Sequence, residues 1–149
     1  MKFFRNMYQK SKEQKGFTLV EMIVVLVIIA ILAAITIPAL LKYIEKAKDK
    51  QLIVNARTAY LAAETAASEA YAAGYTDSSS GFVFKNASNT GTGDLKKVED
   101  NATDLTGISK TYTCTVTTDG KWKVTKVEYQ EGTKKATLNA TSGSEWTVN

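Results

Sequence analysis

The feature that most constrains this chain is a run of about twenty residues, Met22 to Leu41, that contains no charged side chain. Only Thr36 and Pro38 interrupt its apolar character. As a helix rising about 1.5 Å per residue, the run is about 30 Å long, the thickness of a bilayer core. Immediately before it stands Glu21, a carboxylate from which a membrane helix gains nothing. A charge within a spanning helix costs roughly 2.5–3.5 kcal/mol at the centre and less near the interface, so one kept there implies a partner.

Residues 1–16 carry Lys2, Arg5, Lys10, Lys12 and Lys15 against Glu13, and they end in Gly16. The whole chain has 19 basic and 15 acidic side chains, so residues 17–149 hold fourteen of each and sum to zero. The basic pI near 9.1 therefore belongs to the first sixteen residues and says little about affinity for nucleic acid. Positive charge ahead of an apolar run keeps that end cytoplasmic. The far flank is basic too, with Lys42, Lys46, Lys48 and Lys50 against Glu45 and Asp49, so the bias is modest. A secretory signal peptide fits poorly, because the run is too long and no A-x-A site closes it. A permanent signal anchor accounts for the run but not for Gly16-Phe17 followed by Glu21.

The stretch Lys15-Gly16-Phe17-Thr18-Leu19-Val20-Glu21-Met22 resembles the processing site of type IV prepilins. The order is the same: a short basic leader ending in glycine, an aromatic residue, an acidic residue, then a long apolar helix. The resemblance covers residues 15–41, under half of the chain. It implies that a membrane-embedded prepilin peptidase cuts between Gly16 and Phe17 and methylates the new amino terminus. The chain would sit as a single-pass protein in the cytoplasmic membrane. It would then join other copies and minor pilins in an extracellular filament, built by an assembly platform and its ATPase machinery and used for adhesion, motility or biofilm formation. Glu21 of one subunit would neutralise the Phe17 ammonium of a neighbour, satisfying two buried charges at once. Because both groups belong to every copy, such a pair repeats along an open, head-to-tail polymer.

Two other readings share parts of this pattern. A pseudopilin of a type II secretion or DNA-uptake system has the same leader and helix, but the Asn-Gly-x-Tyr-Pro stretch and calcium loop of secretion pseudopilins are missing. From a different class, the chain could be a signal-anchored monomeric surface domain that binds a ligand. With Cys114 alone, the resemblance is to the disulfide-poor pilins of Gram-positive bacteria.

Helical character continues past Leu41. From Lys42 to Ala73 there is neither Gly nor Pro, and Ala, Leu, Glu and Lys dominate. Ile53, Ala56, Tyr60, Ala63, Ala67 and Ala70 recur three and four apart as one stripe, and Gly74 follows as a C-cap. Pro38, the only proline, is expected to bend the helix, while Ala30 and Ala34 let neighbouring helices approach closely. Residues 75–110 are rich in Ser, Thr, Asn, Asp and Gly and read as a long connecting loop with one short strand or turn, its apolar islands at Phe82-Val83-Phe84 and Leu95.

From Thr111 the period becomes two. Tyr112, Cys114 and Val116 alternate with threonines, and Asp119-Gly120 is the signature of a two-residue type I′ hairpin. Trp122 and Val124 share one parity and Val127 and Tyr129 the other, which requires a bulge or a strand break between them. A turn at Glu131-Gly132 leads to a third strand with Ala136, Leu138 and Ala140, and Trp146 and Val148 would close the sheet.

The fold class expected is α+β and type IV pilin-like: a long helix, membrane-spanning in its first half and amphipathic in its second, packed against a C-terminal antiparallel sheet. Its segments are a cleaved basic leader (1–16), an assembly helix (17–41), its amphipathic continuation (42–74), the connecting loop (75–110) and the sheet (111–149).

Nothing in the sequence points to an enzyme. There is no His, the lone Cys114 has no partner for a disulfide or catalytic pair, and no phosphate-cradling or calcium-binding loop occurs. No cofactor or metal is expected. Cys114 reads as a small core residue, with an intersubunit disulfide as the alternative. Three Asn-x-Ser/Thr triplets start at Asn86, Asn101 and Asn139 and read as chance in so Ser/Thr/Asn-rich a chain. Lys121, Lys123 and Lys126, with Trp122 for stacking, could touch nucleic acid. On a domain of zero net charge, a solvated strand face is the simpler reading.

Overall fold

The computed structural model describes residues 16–76, 81–86, 88–141 and 145–149. The basic leader ahead of Gly16 lies outside the described residues. The chain divides into two compact units, Met1–Ile44 and Glu45–Asn149. Its first element, helix α1, runs Leu19–Ala72 and carries the uncharged stretch in the first unit. By length and composition α1 is able to cross a membrane. It closes as the glycine requires: Gly74 takes φ 72°, its N–H donates to Tyr71 O at 3.1 Å, and Tyr75 N–H donates to Ala70 O at 3.0 Å. That pair of bonds is a Schellman motif, and it satisfies carbonyls the helix end leaves open.

In the second unit, α1 lies against a five-stranded antiparallel meander. The strands are β1 (Phe82–Lys85), β2 (Thr113–Thr118), β3 (Val124–Glu131), β4 (Lys134–Asn139) and β5 (Thr147–Val148), in spatial order β1-β2-β3-β4-β5. A second helix, α2 (Asp94–Thr106), connects β1 to β2 and packs beside β1. This is the α+β, type IV pilin-like class. The stretch 75–110, expected to be a connecting loop with one short strand or turn, contains the short strand β1 and also a 13-residue helix that was not expected. Only a few apolar side chains mark α2, and its Asn, Thr and Asp residues are poor helix formers. Burial of Val98, Ala102 and Thr106 stabilises it instead.

The core is small residues from the helix against large ones from the sheet. Leu52, Ala56, Ala59, Ala63, Ala66 and Ala70 form the central buried stripe of α1, with Ala62 and Ala67 beside it. Two members of the expected stripe, Ile53 and Tyr60, are only partly buried at its edge. A stripe of Ala leaves room for rings. Trp122, Phe82, Phe84, Tyr112 and Tyr129 make a continuous aromatic row with centroid separations of 5.3–6.2 Å. Each such pair adds about 0.5–1.5 kcal/mol beyond its buried area.

The bulge expected in β3 is present. Thr117 opposes Lys126 and Thr118 opposes Val124, leaving Thr125 as the extra residue. Thr125 bonds back to Thr117 O through its hydroxyl at 3.0 Å. The hairpin ahead of it differs from the two-residue turn that Asp119-Gly120 suggested. Residues 119–123 form a five-residue connection in which the Asp119 carboxylate accepts the N–H groups of Lys121 (2.9 Å) and Lys123 (3.2 Å). Trp122 takes φ 61°, uncommon for so bulky a residue. Burying its ring at the end of the aromatic row, with Nε1–H donated to Tyr75 O at 3.0 Å, outweighs the local preference for a tight turn. Gly132-Thr133 joins β3 to β4, with φ 58° at the glycine. Trp146 and Val148 pack on the core beside β4, whereas Ala140 lies beyond the end of β4 and is exposed.

One polar node ties the layers of this unit together. The Glu131 carboxylate at the end of β3 accepts from Asn55 on α1 and from Tyr129 Oη at 2.8 Å, with Lys110 Nζ at 3.5 Å. Burial alone would raise its pKa, but these donors outweigh burial and hold it below the ordinary value. Glu128 is also lowered, by its bonds from Lys126 at 2.7 Å and Lys135 at 3.0 Å. A depressed carboxylate contributes stability above its unfolded pKa and loses it as pH falls through the lower folded pKa. The thermal midpoint of the second unit should therefore fall as pH drops from about 5 to about 3, and Glu131→Gln should flatten that slope. An unchanged slope in Glu131→Gln would assign the acid sensitivity elsewhere.

Candidate functional site

The local structure at the start of α1 follows from three consecutive residues. Gly16, Phe17 and Thr18 are non-helical and exposed. A Cβ built on Gly16 would meet none of the described residues within 4 Å, so the side a side chain would occupy is open. Thr18 is the N-cap. Its Oγ1 accepts the Glu21 N–H at 3.2 Å, and its carbonyl accepts the Met22 N–H at 3.2 Å. Thr18-Leu19-Val20-Glu21 thus has capping-box spacing, a signal the sequence reading did not use.

Glu21 stands at the third helical position with its side chain exposed. Its carboxylate has no partner among the described residues. In the first turn the helix dipole favours a negative charge by about 0.3–1 kcal/mol, which by itself gives Glu21 a reason to be there. The same dipole disfavours a positive charge. If the chain is cut after Gly16, the Phe17 ammonium is created at the positive end of the helix and needs an anion. Phe17 is 70% exposed, and Glu21 is exposed one turn further on.

Beyond Glu21 the first unit exposes large apolar side chains on every side of α1, among them Leu26, Ile31 and Ile35. A helix apolar all round needs lipid or other helices against it. Ala30 and Ala34 lie one turn apart within this surface. Pro38 is inside the helix and offers no N–H to the Ala34 carbonyl. Thr36 satisfies its hydroxyl inside the helix, donating to Leu32 O at 2.9 Å.

The remaining candidates resolve as structure. Cys114 is fully buried on β2, where burial pushes its thiol pKa up, as expected for a small core residue. Trp122 is 5% exposed and presents no ring on which a base could stack, while Lys126 pairs with Glu128. Asn86 spends its amide on Lys110 O and Tyr112 N–H, and Asn101 spends its own on Glu69.

Residues 11–37 match the family model described as the prokaryotic N-terminal methylation motif. The motif is that of type IV prepilins. It falls on the Gly16-Phe17 junction and the apolar part of α1, the elements whose geometry stands out. A segment of 40 residues is 50% identical to Fimbrial protein Q of Moraxella bovis, covering 27% of this chain and 26% of that protein. The chain thus aligns with about a quarter of that relative's length. No solved structure matches the chain.

Proposed function

We propose that this chain is a pilin-type subunit of a type IV filament. It is inserted in the cytoplasmic membrane through α1, cut between Gly16 and Phe17 by a prepilin peptidase, and polymerised through the same helix. The observation that carries this reading is the methylation motif coinciding with an open glycine junction and an apolar helix without partners among the described residues. Hydrolysis puts a water hydroxyl on the Gly16 carbonyl carbon and a proton on the Phe17 nitrogen, breaking the bond between them. The freed amine then takes a methyl group from a sulfonium donor, whose S–CH3 bond breaks to leave a thioether while the nitrogen gives up a proton. Glu21 supplies the countercharge in the filament, and Pro38 supplies the bend that fits α1 to its neighbours. An assembly platform, its ATPase and minor pilins are the partners this reading requires. The single cysteine is what favours a Gram-positive source.

The subunit from sheared surface filaments should have lost residues 1–16 by intact-mass analysis. Gly16→Asp should leave uncut precursor in the membrane, because a charged side chain would fill the open side the peptidase needs. Filament subunits that retain Lys15 would overturn the reading. Normal filaments in a strain lacking this chain, together with a secretion or DNA-uptake defect, would make it a pseudopilin instead.

A further inference from the structure

Resting on the processing reading above, we propose that Thr18 is a positioning residue for cleavage: its cap on α1 keeps the Phe17 carbonyl, beside the Gly16-Phe17 bond, out of the helical ladder and free for a peptidase to bind. Three observations carry this. The helix begins at Leu19, and Gly16, Phe17 and Thr18 are non-helical. The Glu21 N–H, one of the donors a helix start leaves open, is satisfied by the Thr18 hydroxyl at 3.2 Å rather than by a carbonyl. A Cβ built on Gly16 would meet none of the described residues within 4 Å, so none of them packs on that side of the junction. The cap is the local device that keeps the Phe17 carbonyl free.

Without the side-chain acceptor on residue 18, the Glu21 N–H can turn to the Phe17 carbonyl four residues back. Taking it extends the helix by one residue, makes Phe17 the cap residue and engages its carbonyl in the ladder. The scissile bond then directly precedes the helix's cap residue, with the Phe17 carbonyl engaged in the ladder. An apolar or interfacial setting strengthens this drive, because an unpaired N–H costs more there than in water. Cleavage itself is unchanged in chemistry. What changes is the fraction of molecules that present the bond, and a reduced competent fraction raises the apparent binding constant in proportion.

The test uses the full chain in detergent micelles with purified prepilin peptidase, following loss of the leader by gel mobility and mass. Thr18→Val keeps the shape of the side chain but removes its acceptor, and Thr18→Ser keeps the acceptor. The expected result is a KM about fivefold higher for Thr18→Val, with kcat and the final extent of cleavage unchanged, the size of a typical lost cap. Thr18→Ser should return KM to within about twofold of the native chain, since Ser caps as well as Thr. A Thr18→Val chain cut with native KM, or with kcat lowered at unchanged KM, overturns the proposal, as does failure of Thr18→Ser to restore KM. A lower final extent of cutting at native KM marks misfolded substrate and also counts against it. A native chain that is not cut after Gly16 removes the processing reading itself, and this inference with it.

Discussion

Glu21→Gln is expected to be cleaved normally and to give no filaments, or sharply fewer. The substitution keeps side-chain shape and the ability to accept a hydrogen bond, and it removes only the charge. Two explanations for Glu21 differ in magnitude, which is why this variant decides between them. A carboxylate that merely favours the helix dipole contributes about 0.3–1 kcal/mol, and its loss would leave assembly close to normal. A carboxylate that neutralises a buried Phe17 ammonium does far more, because removing one partner of a buried pair typically costs about 3–5 kcal/mol. Each 1.4 kcal/mol is a factor of about ten in an association constant, and a polymer meets the defect at every subunit added. Co-expression with the native chain should give sparse or shortened filaments. Cleavage is followed by gel mobility and filaments by electron microscopy of the same culture. Normal filaments from cleaved Glu21→Gln protein would show that this carboxylate does not hold subunits together.

The parts of the fold that were legible in the sequence are those where one signal acts alone. Between Lys42 and Ala73 nothing competes with helix, and Gly74 supplies the only left-handed position the helix end needs, so the end of α1 was readable to within a residue or two. The bulge in β3 was readable because Trp122 and Val124 share one parity and Val127 and Tyr129 the other, and all four are buried. Both parities reach the core only if a residue is added, and Thr125 is that residue.

Where two signals conflict, the local one misled. Asp119-Gly120 has the composition of a two-residue turn, but closing there would have carried Trp122 along the strand and away from Tyr75 O. Tertiary burial of the largest side chain won over turn propensity. In α2, Leu95, Val98, Ala102 and Leu105 do recur at helical spacing, Asp94 stands in the first turn and Gly107 takes the left-handed position after the end. That pattern was present, but four apolar residues among Asn, Thr and Asp are too few to stand out from a loop. At the junction, Gly16, Phe17 and Glu21 were legible through resemblance. The cap by Thr18 was legible through its spacing to Glu21 and went unread, because Glu21 had already been given a role between subunits.

Gly81→Ala should destabilise the second unit by roughly 2–6 kcal/mol, combining a left-handed backbone with an overpacked contact. Gly81 has φ 78°, and a Cβ built there would lie 1.8 Å from Val116 O and 2.8 Å from Thr117 Cα. These are backbone atoms of β2, so no rotamer change can relieve them. Either β1 separates from β2, which pairs Phe82 with Val116, or the strand register shifts and removes Phe82 and Phe84 from the aromatic row. Gly132→Ala serves as the comparison. Its φ is 58° with nothing within 4 Å of an added Cβ, so only the backbone cost remains, about 1–2 kcal/mol. The difference between the two variants isolates the steric part. With total stabilities of about 5–15 kcal/mol for a domain, the upper half of the expected loss at Gly81 is enough to unfold a marginal one. The measurement is thermal unfolding of the fragment from Glu45 onward, with tryptophan fluorescence reporting on Trp122 at the end of the row. Equal losses from Gly81→Ala and Gly132→Ala would mean that β1 can move away from Val116 at no cost, and the β1–β2 pairing would then not be what fixes the aromatic core.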